Sequence, residues 1–334
     1  MVPPASSPSP ASPHFSLTIH PLRQYAPAHN LYIGAAVSPK PLLEDPYYAA
    51  VLGHEYNLLT PENAMKFEFI HPEPGFFDFT QADVLVEYAE QHGMTVRGHT
   101  LVWHLQLADW VEAVPCDQME AVLKDHIETI VGHYRGQVYA WDVVNEGIGD
   151  DGKLRDTIWL RCIGPDYIEK AFAWAHAADP AAKLFYNDYD IELQNQKSSG
   201  VYELVASLVN KGIPIHGVGI QMHLVEAPPA AYLAKYMGSF ADLGLEVQIT
   251  EMDVRLPEPP TSETLIQQAD IYRLVLRVCL EAPNCTAFVT WGFTDRYSWV
   301  PEFFPGFGSA LVFDADYVLK PAYIALREEL GKGE

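Results

Sequence analysis

YAWDVVNE (139–146) and LEVQITE (245–251) each run through apolar or β-branched residues and then stop on a glutamate. Neither shows the in–out alternation of a sheet with one wet face, so both read as strands buried on both sides. Six further runs have the same character: YIGAAV (32–37), YNLLTPE (56–62), TVRGHTLVW (95–103), LFYND (184–188), GVGIQMH (217–223) and AFVTWG (287–292). Stretches of helical period lie between them. Thr80 to His92 opens with Thr-x-x-Asp, sets Val84, Leu85 and Tyr88 on one stripe, and stops at Gly93. Ile168, Ala171, Phe172 and Ala175 repeat at i, i+3, i+4 and i+7, up to Asp179-Pro180. Similar segments cover 117–134, 197–211, 229–243, 263–281 and 321–330. Eight strands alternating with about eight helices predict an α/β fold, a single (β/α)8 TIM barrel.

No repeat or low-complexity block interrupts the chain after residue 15, so residues 15–334 read as one catalytic-sized barrel domain. Residues 1–14, MVPPASSPSPASPH, read as a Pro/Ser-rich disordered tail or linker. They have neither the basic start nor the apolar stretch of a signal peptide. A mature chain trimmed of its leader would begin in the same way, so this opening does not argue for a cytoplasmic protein.

At 49% hydrophobic and 12% aromatic residues, the 334-residue chain can bury a large core, which excludes wholesale disorder. Lys and Arg number 21 against 44 Asp and Glu, a net charge of −23. A surface that acidic repels phosphate backbones and anionic headgroups, which argues against nucleic-acid and membrane-surface partners. No apolar run approaches the ~18 residues needed to span a bilayer. Neutral or cationic ligands fit this balance.

In a (β/α)8 barrel, chemistry sits at the C-terminal ends of the strands. Those ends carry Glu62 and Asn63, His99 and His104, Asn145 and Glu146, Asn187 and Asp188, Gln221 and His223, Glu251 and Asp253, and Trp291. Glu146 and Glu251 stand out because each directly ends an apolar strand, the fourth and the seventh, across the barrel mouth. Two carboxyl groups facing each other over a groove are what glycosidic cleavage needs: one protonates the leaving oxygen, the other attacks the anomeric carbon or activates water. Taken singly, each glutamate is equally well explained as a rim ion pair.

His99 and His104, five apart along a strand and its exit, are expected to point to opposite faces, and no HxH or HExxH pattern is present. Hydrogen-bonding roles therefore outweigh a metal site, and no metal or cofactor is implied. Trp103, Trp110, Trp291 and Trp299, with Tyr189 and Tyr297, lie at strand ends or in loops, where rings can stack on the C–H faces of sugars. Trp159 and Trp174 fall in helical segments and read as core. GxSxG, GxxxxGK[ST] and GxGxxG motifs are absent. The four cysteines show no CxxC spacing; Cys279 and Cys285 are close enough for a local disulfide, but composition alone slightly favours two buried thiols.

TPENAMKFE (60–68), RGHTLVWHLQLADWV (97–111), WDVVNE (141–146), FYNDYDIE (185–192), GVGIQMH (217–223), ITEMDVR (249–255) and TWGFTDRYSW (290–299) together resemble the family 10 glycoside hydrolases, chiefly endo-β-1,4-xylanases. The resemblance runs in order from about residue 25 to 330 and touches every expected strand. It implies a retaining double displacement with Glu146 as acid/base and Glu251 as nucleophile. By the same resemblance His223 and Asp253 orient the nucleophile, and Asn145 hydrogen-bonds the sugar 2-OH. His99, Trp103, Gln221 and Trp291 would wall the −1 subsite. Glu62, Asn63 and Lys66 would clamp −2 under Trp299, and Tyr189 would face the aglycone.

The resemblance further implies a Cys279–Cys285 disulfide, no cofactor, xylan and xylo-oligosaccharides as partners, and a secreted monomer. Phe67 stands where the family usually has Trp, Met252 where Leu is common, and Gly147-Ile148-Gly149 replaces bulkier residues after the acid/base. None of these departures removes a chemical group from the mechanism.

Overall fold

Each of the eight expected runs forms a strand that is buried along nearly all of its length. The structure is a computed structural model that describes residues 20–332, and the tail expected at 1–14 lies outside the described residues. The strands are β1 (Tyr32–Val37), β2 (Leu58–Pro61), β3 (Thr95–Val102), β4 (Val138–Asn145), β5 (Lys183–Asp188), β6 (Gly217–Ile220), β7 (Glu246–Val254) and β8 (Cys285–Thr290). All neighbours pair in parallel in chain order, and β8 pairs with both β7 and β1, which closes the barrel.

The helices between strands are α1 (Pro46–Glu55), α2 (Thr80–Gln91), α3 (Cys116–His133), α4 (Tyr167–Ala178), α5 (Gln196–Asn210), α6 (Ala230–Ala241), α7 (Ser262–Glu281) and α8 (Pro321–Leu330). Their apolar stripes bury against the strands, as Leu85 and Ala89 do in α2 and Leu123, Ile127 and Ile130 in α3. The sequence reading has no helix at α1. PYYAAVLGHE is apolar almost all round, so it shows no stripe, although it buries Tyr48, Val51, Leu52 and the terminal Glu55.

Inside the barrel, below the mouth, Arg97 of β3 is fully buried. It is bound by Asp142 of β4 and Gln248 of β7, with its guanidinium 4.6 Å from the Phe185 ring centre. Asp142 also holds His99 Nδ1 at 3.0 Å. A buried cation with paired acceptors is tolerated only when fully satisfied, and this layer fixes the floor on which the site stands.

Two disulfides brace the outer shell. Cys279–Cys285 spans the turn from α7 into β8, and Cys116–Cys162 ties the first turn of α3 to a short helix, Ile158–Ile163. The sequence reading left the roles of Cys116 and Cys162 open, because a separation of 46 residues carries no local signal.

Candidate active site

Irregularities in strand pairing aim the site residues. Along β7, Ile249 to Met252 spans the same length as Phe288 to Thr290 on β8, so β7 carries one extra residue there. Such a bulge lets consecutive residues face the same way. Thr250 and Glu251 accordingly both reach the Asn187 side chain, Thr250 Oγ1 at 2.7 Å and Glu251 Oε1 at 2.7 Å. β4 carries a similar extra residue opposite Phe185 and Tyr186, just before Glu146. One expectation is corrected here: β7 does not end at Glu251 but continues to Val254, because the segment His223–Leu224 pairs with Asp253 and Val254.

That pairing builds the surroundings of Glu251. His223 Nε2 lies 3.1 Å from Glu251 Oε2, and its Nδ1 lies 2.9 Å from Asp253 Oδ2. Trp299 Nε1 donates to the same Asp253 oxygen at 2.8 Å. Burial disfavours a charged imidazole, but the two carboxylates outweigh it and raise His223 to about 10. Burial likewise pushes Glu251 up, yet the hydrogen bonds from His223 and Asn187 and the fields of His99 and His223 hold it below the ordinary carboxylate value. Glu251 is an anion paired with an imidazolium.

Glu146 follows β4 directly and has φ 56°, in the left-handed region. Its Oε1 accepts from Asn145 Nδ2 at 3.1 Å and from Gln221 Nε2 at 3.2 Å. Asn145 Oδ1 in turn accepts from Gln221 at 3.1 Å and from Asn187 Nδ2 at 2.8 Å. Since Asn187 also donates to Glu251, neutral amides connect the two carboxylates. Room for Asn187 comes from Gly219 on β6, where a Cβ would lie 2.1 Å from Asn187 Oδ1. The sequence reading placed Asn187 at a strand end without assigning it a role.

On the other flank, Lys66 Nζ donates to Asn63 Oδ1 at 2.9 Å and to Gln106 Oε1 at 2.8 Å. It sits 4.8 Å from the Trp103 ring centre and 5.9 Å from that of Trp291. Burial raises Glu62 to about 7, with the Lys66 charge opposing. Burial lowers Lys66 from the usual lysine value, against the fields of Glu251, Glu62 and Glu146. His99 meets Trp291 edge to face at 5.1 Å, and His223 meets Trp299 at 4.9 Å.

Glu62, Asn63, Trp103 and Trp291 thus gather around Lys66, which feels the charge of both Glu251 and Glu146, while His99 and Trp299 meet Trp291 and His223. Tyr189 lies apart, beyond β5, where its hydroxyl accepts from Arg155 Nη2 at 3.0 Å. Gln106, which holds Lys66, was not singled out from the sequence. It stands between Leu105 and Leu107 in the loop after β3, and nothing local marks it.

The opposite-face expectation for His99 and His104 assumes strand geometry as far as His104. β3 ends at Val102, so strand parity does not extend to His104. His99 acts electrostatically on Glu251, and His104 feels the charge of Glu146. Among the described residues no group of three or more His, Cys, Asp and Glu side chains could hold a metal ion. Among the same residues no helix is long and apolar enough to cross a membrane.

A carboxylate kept ionised by an imidazolium and joined through neutral amides to a second carboxylate, with Trp291 and Trp299 beside it, is suited to substitution at an acetal carbon. The chain matches the family described as glycosyl hydrolase family 10 over residues 21–329. It is 46% identical over 314 residues to endo-1,4-beta-xylanase B of Thermotoga neapolitana, covering 92% of this chain and 91% of that protein. Endo-1,4-beta-xylanase A of Humicola insolens is 43% identical over 297 residues, covering 86% of this chain and 79% of the relative. The crystal structure of xylanase 10B from Thermotoga petrophila RKU-1 in complex with xylobiose superposes with a TM-score of 0.92 at 44% identity, covering 95% of this chain and 99% of that one. The chain belongs to glycosyl hydrolase family 10.

Proposed function

We propose that this family 10 member is an endo-1,4-β-xylanase that cuts internal β-1,4 bonds of xylan with retention. Glu251 attacks the anomeric carbon while Glu146 gives its proton to the departing glycosidic oxygen. A covalent glycosyl–Glu251 ester results. Glu146, now ionised, takes a proton from water, and the water oxygen displaces Glu251 from the sugar. The observation that carries this reading is the line Trp299–Asp253–His223–Glu251, which keeps one of the two carboxylates charged and fixed.

Asn145 has both acceptor positions of its Oδ1 occupied and one Nδ2 hydrogen engaged with Glu146. Its remaining N–H is the donor for the sugar 2-OH, a contact that tightens as positive charge grows at the anomeric carbon. Asn63, Lys66 and Glu62 hold the −2 sugar, His99, Trp103, Gln221 and Trp291 shape −1, and Trp299 roofs the glycone side. Tyr189 meets the aglycone. The surfaces of Trp291 and Trp299 crowd the C5 hydroxymethyl group that glucose has and xylose lacks. Steric rejection of that size is worth about 1–3 kcal/mol, which leaves weak activity on mixed glucans and favours xylan by a wide margin.

The enzyme works as a monomer, with residues 15–334 as its catalytic domain, and needs no cofactor. Its two disulfides fit secretion into an oxidising medium. A proton NMR time course on glucuronoxylan tests the reading: short oligosaccharides with the β-anomer first are expected. Early α-anomer, or kcat/KM on carboxymethylcellulose equal to that on xylan, would overturn it.

A further inference from the structure

Glu146 occupies backbone space that residues with a Cβ rarely adopt, at φ 56°. Something outside the residue must hold it there. Its N–H donates to the carbonyl of Asn187 on β5 at 2.9 Å, and its own carbonyl accepts from Arg155 Nε at 2.9 Å. Arg155 closes a hairpin that leaves from Glu146. Ile148 pairs antiparallel with Leu154, and the Arg155 N–H donates to the Gly147 carbonyl at 2.8 Å.

The same guanidinium donates through Nη2 to the Ile148 carbonyl at 3.2 Å and to the Tyr189 hydroxyl at 3.0 Å. The Ile148 N–H is fixed in turn by the Tyr186 hydroxyl at 2.9 Å. One planar cation thus grips the carbonyls on both sides of Gly147, the residue that follows Glu146. A fork of N–H donors can do this; a single ammonium cannot span both.

We propose that Arg155 is a positioning residue for proton transfer. By holding the main chain of Glu146 and Ile148, it keeps Glu146 in the left-handed conformation and aims its carboxyl at the leaving oxygen. Arg155 touches no reacting atom. Its bond to Tyr189 sets the leaving-group side of the groove and the acid from one point. The inference rests on the reading of Glu146 as acid/base.

Proton donation matters in proportion to the basicity of the leaving oxygen. A sugar alkoxide needs the proton as its bond to the anomeric carbon breaks, whereas dinitrophenolate departs without it. The test therefore compares kcat/KM for xylotetraose and for 2,4-dinitrophenyl β-xylobioside in the full chain and its Arg155→Met, Arg155→Lys and Glu146→Ala variants. Rates are expressed per active site, counted by the dinitrophenolate burst from the 2-deoxy-2-fluoro analogue, so unfolded protein drops out.

Arg155→Met is expected to lose roughly 30–100-fold on xylotetraose and less than about threefold on the dinitrophenyl glycoside, with Arg155→Lys between it and the parent. Equal losses on both substrates, no loss on xylotetraose, or the absence of countable sites in both Arg155 variants would overturn the positioning role. Glu146→Ala separates the two assignments. If that variant also loses equally on both substrates, the acid/base reading itself fails. If it splits the substrates and Arg155→Met does not, only Arg155 is misassigned.

Discussion

The two carboxylates stand at opposite walls of one barrel mouth and are held by opposite means. On the β7 wall, Glu251 receives a charged donor, His223, which is itself locked by Asp253 and Trp299. On the β4 rim, Glu146 Oε1 accepts from the neutral amides of Asn145 and Gln221. A fixed counter-charge stabilises one protonation state, as a nucleophile requires. The amides orient the Glu146 carboxyl, as a group that must meet the leaving oxygen requires.

Deleting each carboxylate is the strongest way to break that contrast. Glu251→Ala is expected to lower kcat at least about 10⁴-fold on xylan and on activated aryl glycosides alike, since no step proceeds without the nucleophile. Glu146→Ala is expected to cost about 10²–10⁴-fold on xylan, the range of a lost general acid. Reducing-sugar and dinitrophenolate release measure both. Equal behaviour of the two variants across substrates would mean that the walls do not differ in role.

His223→Gln sharpens the same contrast through pH. Glu251 acts as an anion, so activity is lost as pH falls through its pKa. The imidazolium is among the causes holding that pKa below the ordinary value, while burial pushes the other way. Its removal leaves burial less opposed, so the acid limb of kcat/KM is expected to move to higher pH. The stability sign is also fixed. His223 is raised to about 10, so its ion pairs stabilise the fold fully below the unfolded value near 6.5 and fade as pH rises through about 10. An acid limb unchanged in His223→Gln would contradict the electrostatic role.

Trp299→Phe removes one donor from Asp253, two bonds away from the nucleophile. The expected effect is the smallest: about three- to tenfold in kcat/KM, with the acid limb displaced in the same direction as in His223→Gln but less. A loss as large as that of His223→Gln would mean that Trp299 acts chiefly by touching substrate.

The contrast also separates what the sequence discloses from what it conceals. Glu146 and Glu251 were legible because a carboxylate closing a run rich in apolar and β-branched residues is conspicuous. The eight strands were legible because burial on both faces erases alternation. The bulge at Thr250–Glu251 was not, since an extra residue in one strand is defined only against its partner. Asn187 looked like any polar group at a barrel top until Gly219 made room for it. Helix α1 was hidden because apolar residues surround it on nearly every side. Cys116 and Cys162 meet only because α3 and the short helix after the 147–155 hairpin pack together. Arg155 is one more arginine in a polar loop until the hairpin brings it back to the residue where it began.

The most direct measurement is peptide mass spectrometry after inactivation with a 2-deoxy-2-fluoro xylobioside carrying a dinitrophenolate leaving group. One glycosyl adduct per chain, on the peptide containing Glu251, is expected. An adduct on Glu146, or complete turnover with no covalent species, would contradict the division of labour between the two walls.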